Sequence, residues 1–183
     1  VNNPGNFEVP MGIPFRDLLE LAGGVRDGHK LKAVIPGGSS MPVLPADVIM
    51  ETDMDYDSLS RAGSALGSGA VMVMDDSTCM VKASMRVSRF YFAESCGQCT
   101  PCREGTGWMY RIIKRIEEGQ GRPEDLDLLL SAADNIAGKT ICAFGEAAAW
   151  PVQGFLRHFR EEFEYHITHK RCMVGASAKG AAA

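Results

Sequence analysis

The hydrophobic pattern of the chain changes its period about 75 residues after the first residue. In the first part, short apolar runs alternate with turns that are rich in glycine and proline: "LKAVI" leads into "PGGSS", and "AVMVM" follows "GSALGSG". Runs of this length and β-branched content predict strands. The segment "PFRDLLELAGG" predicts a short helix, because Pro14 suits the first helical position and Gly23 and Gly24 favour a helix end. Together these elements predict a small α+β domain over residues 1–75.

The second part has apolar residues at helical spacing, as in Trp108, Ile112, Ile113 and Ile116. Four segments predict helices: "VKASMRVSRFYFAE", "REGTGWMYRIIKRIEEG", "RPEDLDLLLSAADNIAG" and "EAAAWPVQGFLRHFREEFEYHI". Short connections between helices are typical of a compact bundle, so residues 76–170 are predicted to form a four-helix domain. Residues 171–183, which include "GASAKGAAA", are predicted to be a flexible tail.

Composition and charge exclude several classes of protein. No apolar run approaches the roughly 20 residues that a membrane helix needs, so direct membrane insertion is not expected. The net charge of −4 and the pI near 5.6 argue against nucleic acid as a partner, because phosphate binding needs a basic face. The opening "VNNPGNFEVP" lacks the features of a signal peptide. The six cysteines are therefore expected to be reduced or bound to metal.

Three cysteines are separated by two successive two-residue gaps in "ESCGQCTPC", namely Cys96, Cys99 and Cys102. A disulfide is disfavoured in a reducing context, and a zinc site normally takes a second ligand pair from elsewhere. An iron–sulfur cubane fits better, because three thiolates of such a loop meet three of its irons and a remote cysteine meets the fourth. Cys142 follows after 39 intervening residues, at a predicted turn between the last two helices. The pattern favours a [4Fe-4S] cluster over a zinc ion.

The wider sequence around these cysteines resembles a known family. The segments "ESCGQCTPCREGTGWM", "TICAFGEAAAWPVQGFLRHFREEF" and "AVIPGGSSMPVLP" are similar to the C-terminal half of the NADH-binding flavoprotein subunit of respiratory complex I, the NADH:quinone oxidoreductase. The resemblance implies a soluble-ligand-binding β-grasp domain, ubiquitin-like in fold, followed by a four-helix domain. It also implies that Cys96, Cys99, Cys102 and Cys142 ligate the [4Fe-4S] cluster.

The resemblance further implies a place in an electron-transfer chain. In the family, a Rossmann-like N-terminal domain binds FMN and NADH, and the sequence shows no counterpart of it, so this segment alone is not expected to oxidise NADH. The cluster is expected to accept electrons from FMN and to pass them to clusters in partner subunits of the peripheral arm. The expected location is the cytoplasmic face of the bacterial inner membrane, or the mitochondrial matrix in a eukaryote.

Two other functions remain open at this point. Diaphorase subunits of NAD-linked hydrogenases and formate dehydrogenases carry the same two domains as the resembled subunit. A zinc-stabilised assembly module is the alternative of a different class.

The remaining candidate residues are given simpler interpretations. Arg103 directly follows a predicted ligand and is expected to raise the cluster potential. Cys79 is predicted to be a small apolar filler. His166, His169 and Cys172 recur every third residue, which permits a metal site, but their position near the chain end predicts solvated side chains. "GSALGSG" and "PGGSS" are predicted to be structural turns, and no catalytic acid, base or nucleophile is assigned.

Overall fold

The computed structural model describes residues 1–174, and the predicted tail segment "GASAKGAAA" lies outside the described residues. The chain divides into two compact units, one spanning Val1–Ser77 and the other beginning at Thr78. The fold is a mixture of helices and one small antiparallel sheet. None of the helices in the described part of the chain combines the length and the apolar character that crossing a membrane requires.

The first unit contains a three-stranded antiparallel sheet with the order β2-β1-β3. The strands are β1 (Leu31–Ile35), β2 (Leu44–Pro45) and β3 (Met72–Asp75), and the helices are α1 (Phe15–Leu21), α2 (Ala46–Ile49) and α3 (Tyr56–Arg61). The predicted strands "LKAVI" and "AVMVM" and the predicted first helix are therefore confirmed. Helix α1 begins one residue later than expected, with Pro14 at the N-cap.

The core of this unit is formed by the inward faces of the helices and of strands β1 and β2. Phe15, Val34, Leu44, Ile49 and Leu59 are almost completely buried and lie in one hydrophobic cluster. The short elements β2, α2 and α3 were not predicted, because runs of two to six residues carry too little periodicity to be recognised.

The two glycine-rich loops of the first unit pack directly against each other. The Ser68 N–H donates to the Gly37 carbonyl oxygen at 3.1 Å, and the Gly38 N–H donates to the Ala70 carbonyl oxygen at 2.7 Å. A Cβ atom on Gly37 would lie 2.2 Å from the Ala65 carbonyl oxygen, so the backbones approach too closely for any side chain. Both loops thus have the structural role that their sequences predicted.

The second unit consists, in its described part, of four packed helices. They are α4 (Met80–Glu94), α5 (Thr100–Glu117), α6 (Asp125–Asp134) and α7 (Phe144–His169). All four were predicted. Their apolar faces meet in a core whose most buried members include Met109, Ile113, Leu129, Phe155 and Phe163.

A buried carboxylate joins α5 to the start of α6. The Asp125 side chain is fully buried and accepts hydrogen bonds from the guanidinium of Arg115 and from the Arg122 N–H at 2.9 Å. Burial alone would raise the pKa of Asp125, but these hydrogen bonds lower it below its ordinary value. The charged carboxylate therefore stabilises the folded state.

We expect Asp125→Asn to lower the free energy of unfolding by about 2 kcal/mol, because the Arg115 guanidinium loses its buried counter-charge. A lowered folded pKa gives a stabilisation that is fully present above the unfolded pKa of about 4 and that is lost as pH falls through the folded pKa. Urea unfolding should therefore show the same loss of unfolding free energy in Asp125→Asn, relative to wild type, at about pH 6 and at about pH 8.

The matched control is Glu118→Gln, which removes an exposed carboxylate 3.6 Å from Lys114. Exposed ion pairs contribute little to stability, so Glu118→Gln should lower the free energy of unfolding by less than about 0.5 kcal/mol. Equal losses in the two variants would contradict the role of Asp125.

Candidate metal centre

The three closely spaced cysteines lie where α4 ends and α5 begins. Cys96 is in the connecting loop, Cys99 is the N-cap of α5 and Cys102 is in its first turn. Gly97 lies between the first two cysteines with φ +78°, a conformation that favours glycine and lets the loop turn. The Ser95 hydroxyl lies 3.2 Å from the Cys102 Sγ, which fixes the loop against the helix.

Cys142 lies in the short connection between α6 and α7. The Thr140 hydroxyl donates to the Cys142 carbonyl oxygen at 2.8 Å, and the Gly138 N–H donates to the Glu146 carboxylate at 2.8 Å. A Cβ atom on Gly145 would lie 2.3 Å from the Thr140 Oγ1, so only glycine permits this turn to fold so tightly. The connection is thereby held in one conformation.

The two cysteine segments meet at the same end of the helical unit. The Ile141 N–H donates to the Cys99 Sγ at 3.4 Å, although 42 residues separate them in sequence. Burial raises the pKa of Cys102, and the thiolates of Cys96, Cys142 and Cys99 raise it further. All four cysteines therefore lie at one end of the helical unit.

Two helix N-termini lie at this point. Cys99 caps α5, and Cys142 lies two residues before the first residue of α7. The N-terminus of a helix carries a partial positive charge and favours nearby anions. The site is therefore suited to a group with negative charge, such as a cluster with four thiolate ligands.

The exposure of the cysteines is graded. Cys102 is buried, Cys99 is half-buried, and Cys96 and Cys142 are exposed. Ile141, next to Cys142, is 85% exposed. A group bound here would have one side embedded among the helices and the other side at the protein surface.

The spacing of the sulfur atoms bears on the choice between zinc and a cluster. Tetrahedral zinc with thiolate ligands at about 2.3 Å brings its sulfur atoms within about 3.8 Å of one another. Within residues 1–174, the one group of three or more metal-ligating side chains whose atoms lie within 4.8 Å of one another is Cys79, His166 and Cys172. No three sulfur atoms of the cysteines at this site all lie within that distance of one another, which suits a larger group than a single ion.

Arg103, the predicted cation near the cluster, extends back over the loop. Its Nη1 donates to the Gly97 carbonyl oxygen at 2.8 Å, and its Nε donates to the Glu104 carboxylate at 3.0 Å. Arg103 thus closes the cysteine loop. Its positive charge is partly offset by Glu104.

Two interpretations outside this site are wrong. His166 is not solvated: it is completely buried, with Nε2 3.3 Å from the Glu117 carboxylate. Its position follows from the apolar spacing of Phe163 and Ile167, which places His166 on the inward face of α7. Cys79 is not merely an apolar filler, because it caps α4 and lies 3.6 Å from His166. His169 is exposed as expected.

Comparison with protein families places the cysteine site in a known region. The family described as the NADH-ubiquinone oxidoreductase-F iron-sulfur binding region matches residues 82–166, which include all four cysteines. The SLBB domain family matches residues 1–44. The predicted [4Fe-4S] cofactor is thereby confirmed.

Full-length relatives extend the match to most of the chain. The F subunit of NADH-quinone oxidoreductase in Rickettsia bellii is 54% identical over 169 residues, which cover 91% of this chain and 40% of the relative. Its counterpart in Rickettsia felis is 56% identical with the same coverage. The chain spans about two fifths of the length of these curated relatives.

Solved structures share the fold. NAD+-reducing [NiFe]-hydrogenase in the H2-reduced state superimposes with a TM-score of 0.81 at 30% sequence identity, covering 91% of this chain and 28% of that one. The air-oxidized state gives a TM-score of 0.80 at 30% identity. Residues 82–166 match the family described as the NADH-ubiquinone oxidoreductase-F iron-sulfur binding region, and the chain is similar over most of its length to the F subunit of NADH-quinone oxidoreductase.

Proposed function

We propose that this chain is the electron-transfer segment of an NADH:quinone oxidoreductase, the respiratory complex I. In this proposal, the thiolates of Cys96, Cys99, Cys102 and Cys142 ligate the [4Fe-4S] cluster. The observation that carries it is the convergence of these four side chains at the N-termini of α5 and α7, inside the segment that matches the iron–sulfur family.

The residues around the cysteines fit a negatively charged cluster. Such a cluster takes up and releases single electrons when it is bound. The two helix N-termini and Arg103 supply positive charge beside the thiolates. The hydrogen bonds of Thr140 and Glu146 fix the turn that carries Cys142, so the remote ligand is held in position before the cluster binds.

The exposure of the site suits exchange of electrons with groups outside this segment. Cys96 and Cys142 are at the surface, and the 85% exposed Ile141 offers an apolar contact beside them. We propose that FMN, reduced by NADH on another part of the parent subunit, is the electron donor. Iron–sulfur subunits of the peripheral arm, on the cytoplasmic face of the bacterial inner membrane, are the proposed acceptors.

The two units are proposed to be the β-grasp and four-helix domains of that subunit. The SLBB match over residues 1–44 and the three-stranded antiparallel sheet support the first assignment. The four packed helices that follow Thr78 support the second. The proposed division is residues 1–75 and residues 76–170.

A second candidate function is the diaphorase subunit of an NAD-linked hydrogenase. The TM-score of 0.81 with NAD+-reducing [NiFe]-hydrogenase supports it. The sequence identity of 30% to that protein is well below the 54% shared with the Rickettsia bellii relative, so complex I is favoured.

We expect replacement of any of Cys96, Cys99, Cys102 or Cys142 by alanine to abolish or convert the cubane, because one iron loses its thiolate. The chain should be reconstituted anaerobically, and iron content and the EPR signal of the reduced state should be measured. Cys172→Ala is the matched control and should retain both. An unchanged EPR signal in Cys142→Ala would show that the remote ligand is misassigned.

We also expect Arg103→Gln to lower the cluster midpoint potential by an amount on the order of tens of millivolts, because a nearby cation favours the reduced, more negative state. Glu104→Gln removes the opposing charge and should shift the potential upwards. Both shifts are measurable by EPR-monitored redox titration of fully loaded protein.

The control for both variants is Lys114→Gln. Lys114 lies 11 residues beyond Arg103 on the same helix, or roughly 16 Å along its axis. Its replacement should leave the potential unchanged. Identical potentials in the Arg103 and Glu104 variants would remove these side chains from the tuning of the cluster.

A further inference from the structure

A second group of metal-ligating side chains lies at the opposite end of α7 from Cys142. Cys79, His166 and Cys172 bring their Sγ, ring nitrogen and Sγ atoms within 4.8 Å of one another. His166 is 22 residues beyond the first residue of α7, or roughly 30 Å along the helix. This group is therefore separate from the proposed cluster site and shares none of its ligands.

We propose that these three residues, with the Glu117 carboxylate as fourth ligand, form a mononuclear site for a divalent cation of the zinc class. The ligands come from four places in the unit: the N-cap of α4, the last residue of α5, the last turns of α7 and the segment after α7. A cation here would join the ends of three helices.

Three of the distances between the proposed ligand atoms are those that one small ion requires. The Cys79 Sγ lies 3.6 Å from His166 Nε2 and 3.8 Å from Glu117 Oε2, and His166 Nε2 lies 3.3 Å from Glu117 Oε2. Tetrahedral zinc with sulfur at about 2.3 Å and nitrogen or oxygen at about 2.0–2.1 Å has ligand separations of about 3.3–3.8 Å. These three separations fall in this range, and the Cys172 Sγ lies within 4.8 Å of the Cys79 Sγ and of the His166 ring nitrogen.

The orientation of the His166 ring is fixed in the way that metal sites need. Its Nδ1 lies 2.7 Å from the Glu162 carbonyl oxygen. A carbonyl can only accept a hydrogen bond, so Nδ1 donates; when the ring is neutral, its lone pair is on Nε2, which faces the group. The Glu162 carboxylate in turn accepts from the Met80 N–H at 3.1 Å, which positions the start of α4 beside Cys79.

Cys172 is brought to the group by a sharp turn after α7. Lys170 adopts the left-handed conformation with φ 56°, and its Nζ donates to the Gly121 carbonyl oxygen at 2.6 Å. A Cβ atom on Gly119 would lie 2.8 Å from the Lys170 carbonyl oxygen, so glycine is needed where this turn packs against the end of α5. The turn is thus held by contacts that involve no metal.

Charge balance favours a cation at this position. As zinc ligands, the two cysteines are thiolates and Glu117 is a carboxylate, so the ligands together need a positive charge beside them. Binding of Zn2+ would release the two thiol protons to solvent and leave the site with one net negative charge. A disulfide between Cys79 and Cys172 would use neither His166 nor Glu117, whereas a cation uses both.

The test is zinc binding by the chain carrying its iron–sulfur cluster. The protein is incubated anaerobically with Zn2+ and desalted, and zinc and iron are counted by mass spectrometry. Wild type should retain about one zinc per chain in addition to its iron. Cys172→Ser should lose the zinc and keep the iron and the EPR signal, and its thermal midpoint should no longer rise with Zn2+. His169→Gln, the matched control on the exposed face of α7, should behave as wild type.

X-ray absorption at the zinc edge identifies the ligands. We expect two sulfur atoms at about 2.3 Å and two nitrogen or oxygen atoms at about 2.0–2.1 Å. A shell of four sulfur atoms would place the zinc among the cluster cysteines and overturn the proposal. Wild type that retains no zinc, equal retention by Cys172→Ser, or a Cys79–Cys172 disulfide in the anaerobically purified chain would overturn it as well.

Discussion

The convergence of four cysteines at one end of the helical unit is the constraint on which the rest of that unit depends. Burial and the neighbouring cysteines already disfavour the thiolate of Cys102, so its ionisation needs compensating positive charge. The N-termini of α5 and α7 provide part of that charge through the dipoles of their backbone peptide groups, without a charged side chain. The lengths and starting points of these two helices are thus coupled to the proposed cluster.

The packing of the unit follows from bringing those two helix starts together. Gly105 faces Ile136 so closely that a Cβ atom would lie 2.7 Å from the isoleucine side chain, and Gly145 is similarly crowded by Thr140. Small residues at these two positions allow α5 and α7 to approach the connection that carries Cys142. Asp125 and Arg115 then hold α6 against α5 through a buried charge pair. The helices of the described unit are therefore packed together at the end that carries the cysteines. The proposed zinc-class site joins the helices at the other end.

Much of this protein was determined by its sequence alone. The period of apolar residues located all four helices and two of the strands, and the spacing of Cys96, Cys99 and Cys102 indicated an iron–sulfur cluster, which the family match confirms. These features could be predicted because each depends on neighbouring residues. Helical periodicity and a ligand loop are both recognised from a short stretch of consecutive residues. The assignment of Cys142 as the remote ligand remains a prediction.

Only the tertiary structure decided the surroundings of Cys79, His166 and Cys172. The sequence presented a lone cysteine and a histidine near the chain end, and both were given the simplest interpretation. The fold buries His166 through the inward face of α7, brings Cys79 to it across 87 residues of sequence, and turns the chain at Lys170 so that Cys172 returns to the same point. No local pattern records such contacts, because they depend on how separate helices pack and on one left-handed residue after a helix end.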